Sequence, residues 1–208
     1  MLEEQKRFQV PSDELDSVIG RSRMPARADI DHLPYVQAIV KEVVRWRPVV
    51  PVGMPHHARE DHWYEGRLIP RGTIMLANIW AMHKDQDVYG PDASEFNPDR
   101  WINKTNNTTL SGINSDGHAG FGFGKRRCPG GRTAIDSLDI LAACILWALK
   151  MEQKRDPATG ELVPLPSPEE YPIGGITIHP IPFQFTATPQ FEDVREIIET
   201  SKESLSLE

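Results

Sequence analysis

One of the two cysteines of this 208-residue chain lies in the stretch AGFGFGKRRCPGGR, residues 119–132, among five glycines, two phenylalanines and four basic residues. Pro129, directly after Cys128, suits the first position of a helix, which is predicted to run to about residue 149. A helix N-terminus carries about half a positive charge, and Lys125, Arg126, Arg127 and Arg132 add to it. Both effects lower a thiol pKa, so Cys128 is expected to be a ready thiolate. A thiolate is a nucleophile, a redox sensor or a metal ligand. The glycines permit close approach by something flat or bulky, and Phe121 and Phe123 supply an apolar wall.

A thiolate, an apolar wall and cations placed for carboxylates together suit haem, with iron on sulfur and propionates on arginine. Other site types fail on spacing. A phosphate-binding P-loop needs Gly-x-x-x-x-Gly-Lys-Ser/Thr, but Lys125 is followed by Arg126, and a dinucleotide fingerprint needs a third glycine where Lys125 or Arg127 stands. Structural zinc wants several cysteines or paired histidines, and one other cysteine exists.

The elements that position this loop follow from periodicity and turn signals. Residues 13–20, DELDSVIG, read as a helix end closed by Gly20. A second helix, HLPYVQAIVKEVVRWR, is predicted with Asp31 as its cap and Leu33, Val36, Val40, Val43 and Val44 on its apolar face. GRLIPRGTIMLANIW reads as two strands joined by a turn at Pro70 and Gly72. From about His83 to Gly124 the chain is poor in regular structure, a length unusual inside a compact domain. The helix after Cys128 carries the apolar run ILAACILWAL, residues 140–149, and is predicted buried on nearly all sides, with Cys144 a small core residue. Phe183, Phe185 and Ala187 alternate as in a strand pair within YPIGGITIHPIPFQFTATP. The expected division is a globular unit over residues 1–190 and an acidic tail over 191–208.

A net charge of −7 and a pI near 5.5 argue against a nucleic-acid binder. The two cysteines stand sixteen residues apart, about 24 Å along a helix, too far for a disulfide, and the chain reads as reduced. The ten-residue apolar run is half of what a bilayer needs, so no anchor is expected in the chain itself.

Phe121-x-x-Gly124-x-Arg126-x-Cys128-x-Gly130 resembles the haem-binding signature of the cytochrome P450 family at every fixed position. Glu42-x-x-Arg45 resembles the family's ExxR pair. Taken alone it reads as a solvated surface pair, because it lies off the apolar stripe. FNPDRW, with Phe96, Pro98, Arg100 and Trp101, resembles the family's PERF-type segment. The similarity runs from about Leu15 to Pro189, with a eukaryotic, fungal character.

The resemblance implies a mainly α fold with small β-sheets, the C-terminal half of a cytochrome P450-like fold. It implies haem b (iron protoporphyrin IX) with Cys128 as axial thiolate, Arg126 and His56 toward the propionates, and O2 as co-substrate. Glu42, Arg45 and Arg100 would form a buried ionic network. The implied reaction is monooxygenation of a small organic substrate, with electrons from an NADPH-dependent reductase docking on Lys125, Arg126, Arg127 and Arg132. Segments 50–54 and 174–177, with Val50, Val52, Gly175 and Ile176, would face the substrate. The family location is the cytosolic face of the endoplasmic reticulum. His32, His57, His62, His118 and His179 are expected to be ordinary surface or turn residues. The stretch that would carry the distal helix is not found, so a truncated chain is expected. That absence favours a non-catalytic haem-binding fragment as one alternative, and a cysteine in a cationic loop favours a haem-free thiolate sensor as the other.

Overall fold

The computed structural model describes residues 2–103, 108–109, 118–166 and 175–205. Helix α1 (Leu2–Val18) ends where Gly20 takes a φ of +73° and donates its N–H back to the Leu15 carbonyl, a turn that glycine makes without steric cost. A 3-10 turn over Arg27–His32 leads into helix α2 (Pro34–Trp46). Asp31 lies within that turn and does not cap α2. The carboxylate of Glu14, on α1, accepts the free N–H groups of Tyr35 and Val36 at 2.9 and 3.1 Å instead.

Four two-stranded antiparallel ribbons follow the chain. β1 (His56–His57) pairs with β4 (Ile74–Met75), and β2 (His62–Tyr64) with β3 (Arg67–Ile69) through a turn in which Glu65 and Gly66 both have positive φ. That paired left-handed geometry matches strand twist in a two-residue hairpin. The expected pairing of β3 with β4 across Pro70 and Gly72 is therefore not formed, because each takes an upstream partner. Short helices α3 (Ile79–Met82) and α4 (Gln86–Tyr89) are capped by Asn78 and Asp85, and a 3-10 turn covers Pro98–Trp101. The stretch after His83 is thus more regular than the sequence reading allows. β5 (Ile102–Asn103) pairs with β6 (Thr108–Thr109).

Helix α5 (Gly131–Ala148) packs on α1 and α2. The core joins Leu15, Ile30, Leu33 and Val36 to Ala143 and Trp147, whose indole N–H donates to the Gly20 carbonyl at 2.8 Å. Only one side of α5 meets this core. Leu141 on another side is 55% exposed and Cys144 is half-buried, so the prediction of all-round burial fails for this chain. β7 (Leu149–Gln153) continues directly from α5 and pairs with β8 (Phe185–Pro189). The alternating phenylalanines therefore belong to a ribbon with a distant partner. Residues expected as an acidic tail carry helix α6 (Val194–Leu205), whose Val194 is buried against the core. Phe191 stacks edge-on with Trp147 at 4.9 Å. The architecture is helix-rich with small antiparallel sheets.

Candidate functional site

The only regular element within the cysteine loop is a single 3-10 turn over Gly124–Arg126. Its turns come from glycines and backbone hydrogen bonds. Gly122 and Gly124 have φ of +78° and +53°, which L side chains rarely adopt, and a Cβ on either would meet nothing within 4 Å. They leave open space on the loop. Gly120 and Gly131 serve the opposite purpose. A Cβ on Gly120 would stand 2.9 Å from the Val44 side chain, and one on Gly131 would stand 3.2 Å from the Phe121 ring. These two glycines let the loop seat tightly on α2 and α5.

Cys128 is an exposed free thiol. Its backbone N–H donates to the Phe121 carbonyl at 2.9 Å, and its own carbonyl accepts from Gly131 at 3.2 Å. The loop is thereby closed on itself with the sulfur outward. Helix α5 begins at Gly131 with Gly130 as its cap, two residues later than Pro129 predicts. The tight Cys128-to-Gly131 turn takes up the difference. Phe121 is half-buried, while Phe123, Gly124, Arg126 and Gly130 are exposed.

Glu42 and Arg45 are fully buried. Arg45 Nε and Nη2 donate to the two Glu42 oxygens at 2.8 and 2.7 Å. Its remaining hydrogens go to the carbonyls of His83, Ala93 and Glu95 at 2.6, 2.6 and 2.9 Å. Glu42 also accepts from Asn97 N–H, Trp101 Nε1 and Arg100 Nε, at 2.8, 2.9 and 3.2 Å. Arg100 bonds further to the Tyr89 carbonyl and to Asp92. The surface-pair reading from periodicity is thus corrected. It assumed one buried face, but α2 is buried on two, against α5 on one side and against residues 93–101 on the other. Val43, assigned to the apolar stripe, is 44% exposed.

Two histidines stand beside this network. His118, expected at the surface, is 4% exposed and is packed between the His83 and Phe121 rings. Burial, with the nearby Lys41 charge, lowers its pKa to about 4. His83 is also buried, its pKa lowered to about 4 chiefly by burial. His83 was not singled out from the sequence, and nothing in WAMHKDQ marks it. His118 Nε2 and Asp139 Oδ1 have no hydrogen-bond partner among the described residues. Both line a cavity of about 520 Å³ that reaches Cys128 and Arg127. Burial raises Asp139 to about 6.

The cationic patch is partly neutralised. Arg132 and Arg27 both pair with Asp136, at 3.2 and 2.8 Å, whereas Lys125 and Arg126 are exposed. His56 is exposed on β1. The residues flanking the two segments expected at the substrate are joined by a hydrogen bond from Ile178 N–H to the Val49 carbonyl at 2.8 Å. Val50 is half-buried, while Val52, Gly175 and Ile176 are exposed, and Gly174 lies outside the described residues. Val49 and Met54 beside these positions are also exposed, as are Ile74 and Leu76 on and just after β4.

Among the described residues, no three His, Cys, Asp or Glu side chains gather as a metal set. A single soft thiolate holds iron where the other donors arrive with the metal, as in a porphyrin. The outward sulfur, the space left by Gly122 and Gly124, and exposed Phe123 and Arg126 fit such a group.

A family model described as Cytochrome P450 matches residues 4–185. A cytochrome P450 monooxygenase of Armillaria gallica is 43% identical over 206 residues, covering 98% of this chain and 38% of the relative. Cytochrome P450 monooxygenase 58 of Postia placenta is 43% identical over 188 residues, covering 90% and 35%. Cytochrome P450 monooxygenase iboC of Amanita muscaria is 32% identical, covering 97% and 43%. The chain spans well under half the length of these curated relatives. With the cysteine loop and the matched residues in view, the chain belongs to the cytochrome P450 family.

Proposed function

We propose that this chain holds haem b through the Cys128 thiolate and is the proximal part of a haem-thiolate monooxygenase. The observation that carries this reading is an outward, uncapped Cys128 sulfur on a loop whose glycines leave room for a flat group. Thiolate-ligated haem supplies dioxygen activation, because sulfur pushes electron density toward iron and favours O–O cleavage. The overall balance takes substrate, O2, two electrons and two protons to hydroxylated substrate and water. The electrons come from an NADPH-dependent reductase.

The chain's own residues bind, orient and shield. Arg126 and His56 offer positive or donor character to the propionates. Phe121 and Phe123 keep water from the sulfur side. Glu42, Arg45 and Arg100 hold residues 83–100 against α2, which fixes the approach to the loop. Exposed Lys125 and Arg126 offer an acidic reductase a docking charge, and Val50, Val52, Gly175 and Ile176 line the side open to a small organic substrate. Among the described residues no helix is long and apolar enough to cross a membrane. Placement at the endoplasmic reticulum rests on family likeness.

The test is haem uptake followed by the reduced carbon monoxide spectrum. A thiolate-type band lost in Cys128→Ala supports the reading. Haem uptake that is equal in both proteins overturns it. Uptake without turnover, given reductase and NADPH, selects a non-catalytic haem-binding fragment. An absence of uptake leaves the exposed thiol as a redox sensor.

A further inference from the structure

His83 sits where the ionic network and the cysteine loop meet, and both of its ring nitrogens are used. Ala119 N–H donates to Nε2 at 2.8 Å, so Nε2 must be the acceptor. Nδ1 therefore carries the proton, and donates it to the Arg45 carbonyl at 2.7 Å. The bond is reciprocated, since the Arg45 guanidinium donates to the His83 carbonyl at 2.6 Å. Edge-on contacts with Tyr89 at 6.3 Å and His118 at 6.1 Å fix the ring plane. The pattern admits one tautomer of the neutral ring, because an imidazolium would turn an N–H against the Ala119 N–H.

From Ala119 the bonding continues into the loop. The Ala119 carbonyl accepts from Gly122 N–H at 2.9 Å, and the Phe121 carbonyl accepts from Cys128 N–H at 2.9 Å. The buried ion pair, the imidazole and the cysteine backbone thus form one connected frame.

We infer that His83 is a positioning residue: its imidazole transmits the placement of the Glu42–Arg45 pair to residues 119–128 and so sets where the Cys128 sulfur stands. This deepens the proposed role of Cys128 and rests on that reading for its consequence in haem binding. The linkage itself stands on the hydrogen bonds. A core histidine that merely filled space would not need a specified tautomer.

The experiment reads the linkage in the full chain with and without haem. Nitrogen-15 spectra of the His83 ring should show protonated Nδ1 and bare Nε2, and the reverse tautomer would overturn the inference without any variant. Two substitutions then divide the ring's roles. His83→Asn keeps a donor near the Nδ1 position and loses the acceptor for Ala119; His83→Gln keeps an acceptor near Nε2 and loses the donor to Arg45. A positioning role predicts that amide exchange at Ala119, Gly122 and Cys128 rises roughly tenfold or more in His83→Asn, in line with one lost buried hydrogen bond. In His83→Gln it stays within a few fold of wild type. Equal loosening in both variants, or none in His83→Asn, refutes the assignment. With haem, His83→Asn should lose the thiolate-type carbon monoxide band at equal haem content, while His83→Gln retains it. A wild-type chain that takes up no haem refutes the proposed function and leaves the tautomer and exchange results to decide this inference.

Discussion

Replacing Glu42 by glutamine tests whether the buried ion cluster, rather than secondary structure, holds the segment before the cysteine loop. The shape is kept and one charge is removed. Five donors converge on the wild-type carboxylate: Arg45 Nε and Nη2, Arg100 Nε, Asn97 N–H and Trp101 Nε1. Three meet one oxygen and two the other, so whichever way the amide turns, its NH2 faces at least two donors. Two guanidiniums also lose the carboxylate between them, with Asp92 left beside Arg100. Removing one partner of a buried ion pair costs about 3–5 kcal/mol, a large share of a total stability of roughly 5–15 kcal/mol. For a chain of this size that lowers the melting temperature by roughly 6–20 °C. Urea unfolding followed by tryptophan fluorescence measures it. Arg45→Met alone should be comparably costly, and the double variant less so than the sum, with a coupling of about 1–3 kcal/mol. A cost below about 1 kcal/mol for Glu42→Gln, or strictly additive singles, refutes the reasoning.

Acid should weaken the fold through the two buried histidines. Both pKa values are lowered, to about 4, so their contribution is present above the ordinary value near 6.5 and is lost as pH falls toward 4. The limit is about 3 kcal/mol for each, and a urea midpoint that does not fall between pH 7 and 4.5 contradicts it. Asp139 has the opposite sign. Its pKa is raised to about 6, so its ionisation costs stability as pH rises from about 4 through 6. Asp139→Asn should be about 1–3 kcal/mol more stable than wild type at pH 7, with the gain gone at pH 4; an advantage that persists in acid rules out this cause. Gly120→Ala drives a methyl to 2.9 Å from Val44 Cγ1 and should cost about 1–3 kcal/mol, restored in part by Val44→Ala. Gly122→Ala meets no neighbour but sits at a φ of +78°, so it should cost about 1–2 kcal/mol with no rescue from Val44→Ala, as paired thermal melts would read.

The parts legible in the sequence were those with local chemistry. Gly20 ends α1, the 3.6-residue pattern marks α2, and the cysteine motif marks the loop, because each depends on neighbours in the chain. Partners far apart in sequence were not legible. The cap on α2 comes from Glu14 rather than adjacent Asp31, β4 reaches back to β1, and β8 pairs with β7 across more than thirty residues. His118 shows the same limit. Beside glycines in a polar stretch it has every local mark of a surface residue, yet the His83 ring, thirty-five residues upstream, packs against it on the side away from its near neighbour Phe121.

The Glu42–Arg45 pair shows why a periodicity argument fails in one particular way. The i, i+3 spacing was correctly assigned to the side of α2 away from Leu33 and Val36. The step from that side to solvent requires that nothing else covers it, and a helix in the middle of a fold violates this. What covers it here is a segment of short single turns, and the carbonyls between those turns lack a ladder to satisfy them. Arg45 takes three of these carbonyls, at residues 83, 93 and 95, in the way a neighbouring strand would. A charged pair opposite an apolar stripe, followed by a long proline-rich stretch, is therefore better read as the missing hydrogen-bond partner of that stretch. The charge is kept because Glu42 neutralises it within the same helix turn, leaving the guanidinium free to organise the backbone that leads to Cys128.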